Sequence, residues 1–203
     1  RFMRRKCYYF DSVFFDLLKG YRFDPSEVRI LQNGGSLELE IRGLWYRTVL
    51  WEVPLMAMIS ELYFQMTGQF ARQVEEKAIH KARRFAEIGA EISEFGTRRR
   101  FSFEVQDRVI GILKEYSGKY LKGSSNVCLA MKYNLTPMGT HPHEWFMYHG
   151  AHYGYRSANA LALANWVDVY DGHLGIALTD TYTTDNFFSS FDTQYAKLFD
   201  GLR

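Results

Sequence analysis

The stretch Gly175-Ile176-Ala177-Leu178-Thr179-Asp180-Thr181-Tyr182-Thr183-Thr184-Asp185 decides how the rest of the chain is read. A short apolar run bounded by glycine and by Thr-Asp predicts a strand over residues 175–178. Helical texture resumes over 184–191, so the strand feeds a helix. The same texture recurs upstream. One segment ends at Phe95-Gly96-Thr97, and a helix follows with Val105, Val109, Ile112, Leu113 and Tyr116 on one face. Further breaks come at Gly123-Ser124-Ser125-Asn126, before the apolar residues 127–131, and at Pro137-Met138-Gly139-Thr140. Strand–helix alternation predicts an α/β protein with a parallel sheet and crossovers. No repeat of solenoid period is present.

Before residue 91 the texture differs. Residues 8–19 carry Tyr9, Val13, Phe14, Leu17 and Leu18 at helical spacing, with Gly20 as a stop. Residues 28–31 and 37–41 flank Asn33-Gly34-Gly35, and Leu37, Leu39 and Ile41 alternate with Glu38 and Glu40. This predicts a β-hairpin with one face buried. Residues 45–50 read as a further strand. Pro54 opens a helix whose Leu55, Met58, Ile59, Leu62, Tyr63 and Met66 are assigned to core packing. Residues 70–87 read as amphipathic, with Val74, Ala78, Ala82 and Phe85 inward and Lys77, Lys81, Arg83 and Arg84 solvated.

Composition narrows the function classes. The 203 residues are 47% hydrophobic and 17% aromatic, enough to build a sizeable core and too apolar for a disordered chain. Net charge is only +2, from 25 Lys+Arg against 23 Asp+Glu, which argues against nucleic acid as a partner, including at Arg98–Arg100. No apolar run reaches the ~18 residues of a membrane span. Cys7 and Cys128 make no disulfide framework, so a cytoplasmic setting is expected. The terminal sequences read as cuts inside a longer chain.

In parallel α/β folds the loops after the strands carry the site. If those loops share one rim, Thr97-Arg98, Ser125, Thr140 with His141 and His143, Asp180 and Arg203 converge. Such groups suit an anionic small molecule, because arginine grips phosphate or carboxylate with two parallel hydrogen bonds. Arg98-Arg99-Arg100 read either as a solvated helix start or as an anion clamp, and cations at a helix start oppose the macrodipole. The densest polar segment is Gly139-Thr140-His141-Pro142-His143-Glu144-Trp145. Its histidines read as metal ligands on a strand, as a nucleophile or acid/base held by Glu144 or Asp180, or as exposed loop residues. Thr184 or a neighbouring Asp reads as a helix cap.

At these residues the chain resembles the nicotinate phosphoribosyltransferase family. The resemblance runs through Leu50-Trp51-Glu52-Val53-Pro54-Leu55 with Ser60-Glu61, and Phe95-Gly96-Thr97-Arg98-Arg99-Arg100-Phe101-Ser102. It continues through Gly123-Ser124-Ser125-Asn126, Thr136-Pro137-Met138-Gly139-Thr140 with His143-Glu144-Trp145-Phe146, Leu178-Thr179-Asp180, and Gly201-Leu202-Arg203. It implies an irregular α/β barrel of the type II phosphoribosyltransferase kind, present in part, with part of an N-terminal α+β domain. Residues 1–90 would belong to the latter and 91–203 to the first part of the catalytic barrel.

The implied reaction makes nicotinate mononucleotide and pyrophosphate from nicotinate and phosphoribosyl pyrophosphate in NAD salvage. ATP is the cosubstrate with Mg²⁺, and coupling runs through phosphorylated His143. By resemblance, Phe95 stacks on the pyridine ring with Arg98 beside it, and Thr140 contacts nicotinate. Ser125 stands where the nicotinamide-using relative is acidic. Asp180 lies near ribose or ring, and Arg203 precedes the family's Asp-Ser-Gly-Asp segment. His141 falls where the family does not hold histidine. A homodimer is implied, as is an incomplete phosphoribosyl site in these residues alone. Two other readings stand beside this one. One is a metal-dependent barrel hydrolase using His141, His143 and Asp180, and the other is an inactive truncated interaction domain.

Overall fold

Parallel strands separated by helices form the frame, as the alternation predicts. The computed structural model describes all 203 residues. They divide into two compact units, residues 1–6 with 13–138 and residues 7–12 with 139–203.

The first unit begins with α1 (Phe2–Lys6) and α2 (Ser12–Gly20). The single helix expected over 8–19 is therefore shorter and starts late. Asp11 and Ser12 favour helix starts over interiors, and the chain turns just before them, where Phe10 N donates to Cys7 O. The hairpin is β1 (Val28–Asn33) and β2 (Ser36–Ile41), antiparallel across Gly34-Gly35 with Leu31 opposite Glu38. Its predicted buried face is only partly covered: Val28, Leu39 and Ile41 are half-buried, while Ile30 is 63% exposed and Leu37 53%.

Residues 45–50 are helical rather than a strand. They form α3 (Trp45–Thr48) and one 3₁₀ turn, Val49–Trp51. The Glu27 carboxylate explains this, since it pairs with Arg47 and accepts from Trp51 Nε1 at 2.8 Å. Only helical spacing brings residues four apart onto one carboxylate. Next comes α4 (Glu52–Met66), with Pro54 tolerated in its first turn. Its apolar stripe is core only in part. Ala57 is buried and Leu55 and Ile59 are half-buried, while Met58, Leu62, Tyr63 and Met66 are exposed.

Helix α5 (Val74–Glu87) buries Ala78 and Ala82 and leaves its lysines and arginines in solvent, as its amphipathic pattern requires. Then follow β3 (Ile92–Glu94), α6 (Phe103–Ser117), β4 (Leu121–Ser124), α7 (Val127–Lys132) and β5 (Thr136–Pro137). The strands pair in parallel in the order β3-β4-β5. Ser102 caps α6 by accepting from Val105 N at 3.2 Å, and Asn126 caps α7 by accepting from Leu129 N at 3.1 Å. Ala82, Ile110, Leu113, Leu121, Leu129, Ala130 and Leu135 form the core between these elements. Gly123 is required where β4 meets β5, because a Cβ there would lie 2.2 Å from Thr136 O.

The second unit contains α8 (His143–Tyr153), α9 (Tyr155–Tyr170), β6 (Ile176–Ala177), α10 (Thr184–Phe188), α11 (Thr193–Leu198) and β7 (Gly201–Leu202). β6 and β7 pair in parallel. Phe146, Ala162, Leu163, Ala177, Leu178 and Phe187 form its core. Thr183, not Thr184, caps α10, its hydroxyl accepting from Asn186 N at 3.2 Å. No helix is long and apolar enough to cross a membrane.

Candidate active site

In the first unit the polar groups gather where β3 and β4 end. Glu94, last residue of β3, accepts from Gly96 N at 2.5 Å, from Ser124 Oγ at 2.7 Å and from Gln106 Nε2 at 3.0 Å. Gln106 also donates to Thr97 Oγ1 at 2.9 Å and accepts from Arg100 at 3.2 Å. Ser125 N donates to Glu94 O at 2.9 Å. This network fixes the 95–100 loop against the 124–126 loop, and it is satisfied mainly by charge-assisted bonds. Ser60 Oγ donates to Arg100 O at 2.9 Å, tying the loop to α4.

Among the predicted residues here, Phe95 stands 47% exposed at the strand end, and Ser125 is half-buried next to it in the network. Arg98 is committed to an ion pair with Glu52 at the start of α4. Arg98 and Arg99 sit in a 3₁₀ turn, Thr97–Arg99, before α6 begins, so neither cation opposes a long helix dipole. Glu94, Gln106 and Glu52 were not singled out from the sequence. Gln106 carried a readable signal, because it shares the inward face of its helix with Ile110 and Leu113 and is buried. A buried polar side chain on such a face demands partners.

In the second unit Thr140, His143, Asp180 and Arg203 come together in two pairs. His143 is the first residue of α8, and its Nε2 lies 3.0 Å from Asp180 Oδ1, in the loop that follows β6. Arg203, just after β7, donates from its guanidinium to Thr140 Oγ1 at 2.8 Å. Its carbonyl accepts from Thr179 N at 3.0 Å and from Thr179 Oγ1 at 3.0 Å. Both pairs therefore sit at the carboxyl end of parallel strands.

His141 does not join them. It is buried, packed among the rings of Trp166, Phe146 and Phe199, and both ring nitrogens lack hydrogen-bond partners. Burial holds its pKa down to about 4, so the ring stays neutral. The strand that would aim His141 and His143 at one ion is a loop entering a helix. No group of three or more His, Cys, Asp or Glu side chains is placed to hold a metal, which removes the basis of the hydrolase reading. His149 is structural: Nδ1 donates to Trp145 O at 2.8 Å, and Nε2 accepts from Asn165 at 2.8 Å.

Arginines, hydroxyls and a His–Asp pair after parallel strands are groups of the kind that suit an anionic small molecule. A sequence profile of the nicotinate phosphoribosyltransferase (NAPRTase) family matches residues 90–203, and the profile of that family's N-terminal domain matches residues 1–60. A nicotinate phosphoribosyltransferase of Chromohalobacter salexigens is 54% identical over 207 residues, covering 100% of this chain and 53% of the relative. The crystal structure of nicotinate phosphoribosyltransferase from Porphyromonas gingivalis superposes with a TM-score of 0.95 at 49% identity, covering 100% of this chain and 53% of that one. The Vibrio cholerae enzyme gives 0.90 at 32% identity, over 99% of this chain and 50% of that one. The chain belongs to the nicotinate phosphoribosyltransferase family. It spans about half the length of the curated relatives it matches.

Proposed function

We propose that these residues form the part of a nicotinate phosphoribosyltransferase that carries its phosphorylated histidine. The reaction joins the ring nitrogen of nicotinate to the anomeric carbon of phosphoribosyl pyrophosphate and releases pyrophosphate, yielding nicotinate mononucleotide for NAD salvage. ATP hydrolysis is coupled through a phosphoryl group on His143. The 3.0 Å contact between His143 Nε2 and Asp180 carries this reading. A carboxylate can only accept, so it keeps the proton on Nε2 and leaves the lone pair on Nδ1. Nδ1 is then the nucleophile toward the γ-phosphorus, and ADP departs. The phosphoryl group so formed lies at the start of an eleven-residue helix, where free N–H groups and the dipole favour an anion. Water later takes the phosphoryl group and restores the imidazole.

In the first unit, Phe95 offers an exposed ring face for the pyridine, Ser125 a hydroxyl that does not repel a carboxylate, and Arg98 a cation. In the second, Thr140 and Arg203 offer a hydroxyl and a guanidinium to substrate. Mg²⁺ would arrive on the pyrophosphate, since magnesium takes one or two carboxylates together with substrate phosphates and needs no cage of protein ligands. When bound, the ion neutralises charge building on the leaving pyrophosphate.

The two parallel sheets are proposed as staves of an irregular α/β barrel over residues 91–203, with residues 1–90 in the N-terminal α+β domain. Profile matches beginning at residues 1 and 90 support that division. A cytoplasmic homodimer is the proposed working form, and the exposed apolar side of α4 agrees with a covered surface in it. Incubation of the intact protein with γ-labelled ATP tests the coupling. Acid-labile label on His143, lost in His143→Ala and discharged by nicotinate with phosphoribosyl pyrophosphate, is expected. Label that persists in His143→Ala refutes the assignment.

A further inference from the structure

Two residues beyond Asp180, the Tyr182 hydroxyl donates to Phe146 O at 3.1 Å, in the first turn of the helix that His143 begins. It reaches that carbonyl over Gly150, one turn further along. A Cβ at Gly150 would lie 2.1 Å from the Tyr182 oxygen, 3.2 Å from Tyr155 Cδ1 and 3.3 Å from Tyr182 Cζ. Any other residue at 150 would push the hydroxyl away. The Tyr182 ring is held from the side by Tyr155, edge to face at 5.4 Å between centroids. Burial pushes the phenol's pKa up, so it remains a donor.

We propose that Tyr182 is a positioning residue, whose hydroxyl, seated over the bare Cα of Gly150, pins the Asp180 loop to α8 and so holds the Asp180 carboxylate on His143 Nε2. The argument is one of leverage. The side chains of His143 and Asp180 are 47% and 62% exposed, and an exposed polar pair alone does not fix its own geometry. The loop is tied down on either side of Asp180, at Thr179 by Arg203 O and at Thr183 by the α10 cap. Tyr182 is the tie that runs to the histidine's own helix. The proposal rests on the reading of His143 as the reacting histidine.

The test uses the intact protein labelled with ¹⁵N-histidine, with His143 assigned through His143→Gln. Ring ¹⁵N shifts report which nitrogen carries the proton, and Asp180→Asn defines the unpaired state. Tyr182→Phe, which keeps the ring, is expected to move the His143 signals toward those of Asp180→Asn. It should also lower the rate of phosphoryl transfer from ATP about tenfold with KM for ATP unchanged. Gly150→Ala should act likewise in the native background and add little in Tyr182→Phe, because the clashing oxygen is gone. Native His143 signals in Tyr182→Phe, strictly additive effects of the two substitutions, or no effect of Asp180→Asn would each overturn the proposal. If the tautomer shifts as expected while the native protein transfers no phosphoryl group, positioning stands and the functional reading falls.

Discussion

The Nε2 nitrogen of His143 sits 3.0 Å from Oδ1 of Asp180, joining the first residue of a helix to the loop after a parallel strand. The contact sets the tautomer of the imidazole and aims its second nitrogen. Asp180→Asn should therefore slow phosphoryl transfer to His143 at least about tenfold, since an orienting carboxylate is worth one to two orders of magnitude. Rapid-quench measurement of labelled His143 checks this. A native rate would show that Asp180 is not the orienting group.

Glu94 gathers the first unit's polar loops, and its removal should be felt as lost stability. Glu94→Ala leaves the Ser124 hydroxyl, on a fully buried residue, without its acceptor and leaves Gln106 Nε2 with Thr97 Oγ1 alone. The orphaned hydroxyl costs about 1–3 kcal/mol. A urea midpoint lowered accordingly in the intact protein is expected. An unchanged midpoint would mean water replaces the carboxylate.

His141 gives a pH signature. Its folded pKa, about 4, lies below the ordinary 6.5 because burial penalises the charged ring. Between those values the unfolded chain binds a proton that the folded chain refuses, so this residue makes stability fall as pH drops from 6.5 to 4. The full loss approaches about 3 kcal/mol, at 1.36 kcal/mol per pKa unit. Above pH 7 the residue makes no difference to the slope. Denaturation at pH 7 and pH 5 should show the His141→Phe variant less acid-sensitive than the native protein, whatever its absolute stability.

Arg98 is held by Glu52 across partly exposed side chains. The pair contributes less than about 1 kcal/mol to stability, as exposed pairs do. Its larger effect falls on anion binding, because Glu52 competes for the guanidinium. Glu52→Gln should leave the melting temperature nearly unchanged and lower KM for nicotinate several-fold. A raised KM would show instead that Glu52 holds Arg98 in its binding pose.

The parallel α/β frame was legible because β-strand and helix alternate after residue 91 with clear breaks between them. The hairpin was legible from its Asn-Gly-Gly turn and alternating Leu and Glu. Its solvent face was not, because periodicity says which side is apolar and not whether anything covers it. That the stripe on α4 is covered only in part was hidden for the same reason. Residues 45–50 looked extended because their aromatic and β-branched content favours strands, yet tertiary pairing of Arg47 and Trp51 with Glu27 made them helical. The His143–Asp180 pair could be suspected from polarity after the strand. That His141 faces inward, and that Tyr182 needs Gly150, depends on packing between segments far apart in the sequence.

Chromatographic detection of nicotinate mononucleotide tests the account most directly. The intact protein would be supplied with nicotinate, phosphoribosyl pyrophosphate and Mg²⁺, with and without ATP, beside a nicotinamide control. Product from nicotinate alone of the two rings, raised by ATP in the native protein and not in His143→Ala, is the result expected. A folded protein that makes no nucleotide from nicotinate, or whose ATP stimulation survives His143→Ala, would contradict it.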